Sequence, residues 1–568
     1  MRYAHAVADV RAAERELMAR LPDGALMQRA AAGLAAVCAD LLDPVYGAQV
    51  VVLAGSGDNG GDALYAGARL ARRGAVVTAL TTGSRMHEGG AADLRAAGGR
   101  LIPAAASGPA NASTPTATGT SAATGTPPAT SGLAGDGGPA GSHGQPETSG
   151  PSAAALELLG EADLVIDGIL GIGGKGGLRE PAAALAAAAA AGPGVVVAVD
   201  LPSGVDADTG EVAGAAVRAD VTVTFGTWKP GLLVDPAASL AGAAELIDIG
   251  LGPCLAPASV TALQAADVAR LLPRPGAESD KYRRGVLGVV AGSTRFTGAA
   301  TLAVGGALRG GAGMIRLVSA AHAAEIARQH WPEAVITVVG RDTDPAGGLA
   351  TAGAVPAAEA VGTAGQVQAW VAGPGMGTDD DAATLLAGVL ASDLPVLVDA
   401  DGLTIAARER KLLRRDAPTL ITPHAGELAR LLGTDRAAVE ARRLAHARQA
   451  AAELGVTVLL KGSTTVIAPP DGGPVLVNAT GTSWLATAGS GDVLSGLAGA
   501  LLAQGLTPAQ AGAAGAYLHG LAGRLAAAGA GDQDGAHQIA GGAPIGAADL
   551  ITALPAAIRR TAAGSAES

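Results

Sequence analysis

The sequence predicts two α/β domains in tandem, each built on a mainly parallel sheet. Three observations carry this. Short Val- and Ile-rich runs recur without polar alternation, as strands covered on both faces require. Helical stretches fall between most of them, which is the βαβ pattern of a parallel sheet. At 568 residues the chain is longer than one core serves, at about 150 residues per domain.

The first series of strands reads Gln49–Ala54, Ala75–Leu80, Leu164–Asp167, Val195–Asp200 and Val221–Phe225, with a helix over Asp62–Arg73. The second begins after Pro253–Pro257: Val286–Ala291, Met314–Val318, Ala369–Ala372, Val396–Asp399, Thr419–Ile421, Val456–Lys461 and Thr465–Ala468. This gives domains over residues 1–252 and 262–557. Residues 103–152 contain Leu133 as their sole Leu, Ile, Val or aromatic. Such a stretch buries too little surface to offset its ordering entropy and is expected to be a disordered insertion. Residues 558–568 are expected to be a disordered tail.

Composition excludes several classes. The formal charge is −12 and no basic block is present, which argues against nucleic acid. The two cysteines, Cys38 and Cys254, can form neither a disulfide framework nor a CxxC zinc pattern, so a reducing cytoplasm is the default. No run supplies about 20 strongly apolar residues, so no membrane span is expected. The N-terminal residues carry charge throughout and lack the apolar stretch of a signal peptide.

Chemistry concentrates at strand ends, where open α/β sheets bind ligands. The first strand runs into Gly55-Ser56-Gly57-Asp58-Asn59-Gly60-Gly61-Asp62. This contains GxGxxG, but two aspartates would repel a pyrophosphate, and the next strand ends in Thr81-Thr82-Gly83 without an acidic residue for a ribose. The competing reading is an ordinary Asp cap and Gly turn. Asp167 closes the next strand, ahead of Gly171-Ile172-Gly173-Gly174-Lys175-Gly176-Gly177. Asp200 closes another, ahead of Leu201-Pro202-Ser203-Gly204. Asn59, Asp167 and Ser203 are hard oxygen donors on adjacent loops and suit an alkali or alkaline-earth cation.

In this order GSGDNGGD, LVIDGILGIGGKGG, DLPSGVDADTG and TFGTWKPGL resemble the N-terminal domain of the bifunctional NAD(P)H-hydrate repair enzymes, a Rossmann-like epimerase domain. The resemblance implies that Asp58, Asn59, Gly60, Gly61 and Asp62, with Gly171 to Gly177, bind the hydrated nicotinamide nucleotide. It implies K+ on Asn59, Asp167 and Ser203, and a substrate-contacting acid/base at Asp200. The family usually has Asn where Asp58 stands.

The second domain's strongest signal is Ala488-Gly489-Ser490-Gly491-Asp492 before an apolar helix. Small residues there present backbone N–H groups at the helix's positive end, an anion hole for phosphate. Asp492 would start the helix and act as a general base or acid, or else serve only as a cap. Lys461-Gly462-Ser463-Thr464-Thr465 follows a strand and suits a nucleotide phosphate. Thr422-Pro423-His424 predicts Thr422 as N-cap with His424 in the first turn. Asp399 and Asp401 would share a side if their strand continued.

Together VVAGSTRFTGAA, VAGPGMG, DADGL, TPHAGE, KGSTT and TAGSGD resemble the ADP- or ATP-dependent NAD(P)H-hydrate dehydratases, which have a ribokinase-like α/β fold. The resemblance implies substrate contacts at Ala299, Gly375, His424 and Asp492. It implies nucleotide contacts at Lys461 to Thr465 and at Gly491, with Mg2+ accompanying ADP or ATP. The expected function is therefore epimerisation of NAD(P)H hydrate and dehydration of its S form at the expense of ADP or ATP. The alternative is a ribokinase-like small-molecule kinase fused to a non-catalytic nucleotide-binding module. Small-molecule substrates are expected, with no nucleic-acid or membrane partner, in the cytoplasm; a homo-oligomer stays open.

Overall fold

The computed structural model describes residues 1–83, 85–105, 150–340, 353–529 and 542–563. Two sheets organise them. One has seven strands, all parallel. Its spatial order is Arg100–Pro103, Val76–Thr81, Gln49–Ala54, Leu164–Gly168, Val195–Val199, Val221–Phe225, Ala243–Ile247. The order reverses between Gln49–Ala54 and Leu164–Gly168, which opens a crevice at their C-terminal ends.

The missing polar alternation has a direct cause. Val50, Val52, Leu164 and Ile166 point into one apolar cluster. Their neighbours Val51, Leu53 and Val165 point into another. Both faces are covered, so both parities are apolar.

The second sheet has eleven strands. Its central run is parallel: Thr457–Leu460, Thr419–Ile421, Val396–Val398, Ala369–Ala372, Val286–Val290, Met314–Ala320 and Val335–Val339. The same two-sided burial holds, with Val290, Val318 and Val398 in one cluster and Val289, Leu317 and Leu397 in the other. Two antiparallel steps then add Thr465–Ala468 and Val475–Asn478.

The domain boundaries need three corrections. Residues Arg2–Ala4 do not belong to the first sheet; they pair antiparallel with Val260–Ala262 at the edge of the second. Ala4 is fully buried there, His5 bridges to Thr227 Oγ1 at 2.7 Å and Ala256 O at 2.9 Å, and the Met1 amine meets Asp267 at 2.7 Å. The chain start thus straps the two halves together. The edges of the expected insertion are structured: Pro103 ends a strand, Ala105 bridges Pro151, and Ser152 caps the helix Ala153–Glu161. Residues 106–149 lie outside the described residues. Finally, the helix Ala547–Ala563 continues into the expected tail, because Ala557 and Thr561 are buried on its inner face. Residues 564–568 lie outside the described residues.

Candidate active sites

The first site sits at the crevice of the seven-stranded sheet. Its opening motif is not a loop throughout. The helix predicted from Asp62 begins at Asp58, so Asp58, Asn59, Gly60, Gly61 and Asp62 form its first turn and a half. A Cβ on Gly60 would lie 2.2 Å from the Gly55 carbonyl, so glycine lets the helix fold back on its strand. The Asn59 side chain lies against Gly171, and its Nδ2 is buried without a partner.

Asp167 and Ser203 come together as expected. Asp167 Oδ2 accepts from Ser203 N at 2.8 Å, and Oδ1 accepts from Ser203 Oγ at 2.7 Å and Ile169 N at 3.3 Å. Burial pushes the Asp167 carboxyl up to about 6, against the lowering pull of those bonds. No described cation pairs with it. A buried carboxylate, a hydroxyl and the Asn59 amide oxygen are hard oxygen donors, the kind of set that fits K+.

Asp200 departs from ordinary backbone. Its φ is 65°, a left-handed conformation that strains a non-glycine residue and clusters at functional sites. Three donors hold it: Thr224 Oγ1 at 3.0 Å, Phe225 N at 3.2 Å and the Lys229 ammonium, all on Oδ1. Lys229 is 1% exposed and also donates to Thr224 Oγ1 and Phe225 O. Oδ2 accepts no hydrogen bond among the described residues. Burial, reinforced by the charges of Asp200, Asp58 and Glu14, holds the Asp62 carboxyl well above the usual range. Burial and Asp200 also raise Glu14, on the helix Val7–Met18.

Sequence reasoning missed Lys229 and Glu14. Lys229 was visible in TFGTWKPGL, five residues beyond the strand's Thr224, but its target was not. Glu14 carried no signal, because it arrives from a helix outside the sheet. Lys175, by contrast, is 82% exposed on its side chain and stands 4.0 Å from Asp206, outside the cluster.

The second site lies at the C-terminal ends of the central strands of the larger sheet. The helix Ser490–Ala503 starts two residues ahead of Asp492, where the sequence placed its start, after Gly489 at φ 86°. A side chain at Gly489 would be strained and would clash with Leu302. His519 Nε2 meets Ser490 O at 2.9 Å, and burial pushes that imidazole down to about 4, so it stays neutral and donates. Asp492 falls in the first turn, and burial with the charges of Asp399 and Asp401 pushes its carboxyl up to about 7. A Cβ on Gly491 would stand 3.5 Å from Lys461 Nζ. Lys461 in turn donates to Asp399 Oδ1 at 2.7 Å and lies 3.9 Å from Glu427. Burial works to lower its pKa, but Asp399 and Glu427 win and hold it above the ordinary lysine value. Ser495 Oγ donates to Asp399 Oδ2 at 2.7 Å. Ala299 and Gly375 adjoin: a Cβ on Gly375, at φ 56°, would fall 2.6 Å from that of Ala299.

Three expectations fail here. Asp399 and Asp401 do not share a strand face, since the strand ends at Val398 and Asp399 begins the helix Ala400–Arg408. Asp401 instead accepts from Gly377 N at 3.0 Å. Thr422 is not the N-cap. His424 is, with Nδ1 accepting from Gly426 N and Glu427 N, and Glu427 returning a bond to His424 N. Thr464 turns away from the site, its hydroxyl accepting from Asp235 N of the first domain.

Comparison with known proteins fits this pair of sites. Residues 287–542 match the family model described as NAD(P)H-hydrate dehydratase, and residues 23–231 match that described as YjeF-related protein N-terminus. A Mycobacterium leprae protein named bifunctional NAD(P)H-hydrate repair enzyme Nnr is 43% identical over 541 residues, covering 94% of this chain and 96% of its own. The chain belongs to the bifunctional NAD(P)H-hydrate repair enzyme family. The Mycobacterium tuberculosis protein of the same name is 45% identical over 520 residues, covering 90% of this chain and 92% of its own. A solved Bacillus subtilis ADP/ATP-dependent NAD(P)H-hydrate dehydratase, co-crystallised with ATP and Mg2+, is 29% identical at a TM-score of 0.44; it covers 53% of this chain and 99% of its own. Among described residues, no helix is long and apolar enough to cross a membrane.

Proposed function

We propose a division of labour for a repair enzyme that carries NAD(P)H-hydrate epimerase and nucleotide-dependent dehydratase activities on one chain. The first site epimerises the hydrate with Asp200 as acid/base. The observation that carries this is the one-sided grip on Asp200: Lys229, Thr224 and Phe225 N all bind Oδ1. That grip orients the carboxylate and leaves Oδ2 to exchange a proton with the substrate. K+ held by Asn59, Asp167 and Ser203 would supply fixed positive charge near the substrate. The first turn at Asp58–Asp62 and the loop Gly171–Gly177 would hold the nucleotide.

The second site dehydrates the S epimer. Hydroxide is a poor leaving group, so the C6 hydroxyl must first be activated. Asp492 takes its proton while the oxygen attacks the terminal phosphorus of ADP or ATP, which enters with Mg2+ as part of the substrate; the phosphoanhydride bond breaks and AMP or ADP leaves with its electron pair. Phosphate then leaves with the C6–O bond pair, and the neighbouring ring carbon gives up a proton, restoring the double bond. Backbone N–H groups at Ala488–Gly491 would hold the transferred phosphoryl group, and Lys461 would meet the nucleotide's charge. Ala299 and Gly375 would border the substrate; His424 would reach it only through Nε2, since Nδ1 caps its helix.

The test uses purified R and S hydrates. R hydrate alone should convert to S without nucleotide, and S hydrate should regain the absorbance of the reduced nicotinamide only with ADP or ATP. A phosphorylated nicotinamide product accumulating in place of recovered cofactor would favour the kinase reading. The enzyme's preferred nucleotide, assembly and compartment are separate measurements.

A further inference from the structure

The predicted nucleotide loop is not held by its own domain alone. It is a hairpin turn between Thr457–Leu460 and Thr465–Ala468. Asp235, of the first domain, reaches into it. The Asp235 carboxylate accepts from Ser463 Oγ and from Thr464 N at 3.0 Å, and Asp235 N donates to Thr464 Oγ1 at 3.0 Å. From the other side Arg443, itself buried, donates Nη2 to Lys461 O at 2.8 Å, Thr464 O at 3.2 Å and Leu460 O at 3.3 Å. The turn is thus clamped between a carboxylate and a guanidinium that belong to different domains. Meanwhile Gly462 and Ser463 are exposed, and their N–H groups have no acceptor among the described residues.

Among the described residues no cation of the first domain pairs with Asp235; the guanidinium that feels its charge is Arg443, of the second domain. Asp235 is 9% exposed and ends the buried segment from Thr227 through Leu232, Leu233 and Val234, which shares one apolar cluster with Val466 and Val477 of the larger sheet. An apolar residue would suit such a seam better unless the charge has a task.

We propose that Asp235 is a positioning residue for the dehydratase: it completes the nucleotide site from the epimerase domain by fixing the 461–465 turn with its free N–H groups facing the ATP or ADP phosphates. The inference rests on the assignment of that turn to the nucleotide. A preformed turn spares the binding step the ordering of several residues, so its loss weakens nucleotide binding without touching the chemistry.

The experiment uses the full chain and the variants Asp235→Ala, Asp235→Asn and Ser463→Ala. Hydrogen exchange of the 461–465 amides is followed with and without ATP, alongside ATP affinity and steady-state dehydration. In the wild type ATP should slow exchange of this turn. In Asp235→Ala the turn should exchange faster without nucleotide, and the ATP Kd should rise about tenfold, as for a lost pair of charge-assisted hydrogen bonds. The kcat at saturating ATP and the KM for S hydrate should hold within about two-fold of wild type. Ser463→Ala should weaken ATP less in the Asp235→Ala background than alone, because both remove one contact. Asp235→Asn, which keeps the size, should fall between and covers the case in which the alanine variant does not fold. ATP affinity unchanged in both Asp235 variants, with the turn still protected by ATP, would overturn the proposal alone. Absence of ATP protection in the wild type would overturn the nucleotide assignment and the proposal with it. A merely structural role would lower the melting temperature and the active fraction, leaving the ATP Kd of folded protein where it was.

Discussion

Replacing Asp492 by Asn should make the enzyme more stable and nearly inactive as a dehydratase. Its carboxyl is pushed up to about 7 in the folded chain from an ordinary 3.8, chiefly through burial and then through Asp399 and Asp401, with Lys461 opposing. A raised carboxyl stabilises the fold only while it is protonated. The contribution is therefore fully present below the unfolded value and is lost as pH rises through about 7. The rise from 3.8 to about 7 caps the loss at about 4 kcal/mol. Residual solvent and the helix-dipole attraction that Asn forfeits reduce this to about 2 kcal/mol. For a domain of this size that is a melting temperature roughly 4–8 °C higher for Asp492→Asn at pH 8, shrinking toward zero near pH 4. The same substitution removes the base. Dehydration should fall by about 10²–10⁴-fold while epimerisation is untouched. In the wild type supplied with ATP, kcat/KM for S hydrate should fall as pH drops through about 7, since only the carboxylate accepts the hydroxyl proton. Melting at pH 5 and 8, with turnover of pure S hydrate at saturating ATP, checks both halves. An Asn variant that keeps more than about a tenth of wild-type turnover, or that melts lower at pH 8 than wild type, refutes the assignment.

Three more outcomes follow from the first site and its surroundings. Lys229→Met should abolish epimerisation and lower the melting temperature, because it leaves Asp200 buried without its cation at about 3–5 kcal/mol; normal epimer exchange by chromatography would show that Lys229 is dispensable. Exchanging K+ for a large organic cation, or Asp167→Ala, should slow epimerisation and spare dehydration of pure S hydrate; equal loss of both would contradict the separation of the sites. Excising residues 107–149 should leave both rates within a few-fold, because Ser152 N already donates to Ala104 O at 2.8 Å and the flanks meet without the insertion; failure to fold would assign that stretch a structural part.

Much of the fold was legible because burial on two faces leaves a one-dimensional trace. Val-rich runs such as Gln49–Ala54 read as strands since both parities serve a core. The aspartates Asp167, Asp200 and Asp492 were legible as candidates for a related reason: several carboxylates beside small residues at the ends of adjacent elements are more than capping needs. What stayed hidden was long-range. Arg2–Ala4 offers three residues of pattern, too few to reveal a partner more than 250 residues away. His424 replaced Thr422 as the cap because Nδ1 can accept from two N–H groups while Glu427 returns the bond, a reciprocal fit that outcompetes one hydroxyl. Nothing local in the sequence marks Ala400, at φ 48°, as the turning point that ends the strand before Asp399 and Asp401 can share its face.

Two of the hidden contacts run between the halves, Arg2–Ala4 on Val260–Ala262 and Asp235 on Ser463 and Thr464. Lys229 fixes Asp200 in the first site, and six residues later Asp235 fixes the turn at Ser463 and Thr464 in the second. The intervening residues are buried, so the segment cannot shift at one end without displacing packed side chains along its length. Fusing an epimerase to a dehydratase would by itself need only a tether, and the exposed pair Arg442–Glu211 would serve a tether well enough. A buried carboxylate committed across the seam does more than hold two domains together. It makes the geometry of one site depend on the presence of the other, which is a reason for the two activities to remain on a single chain.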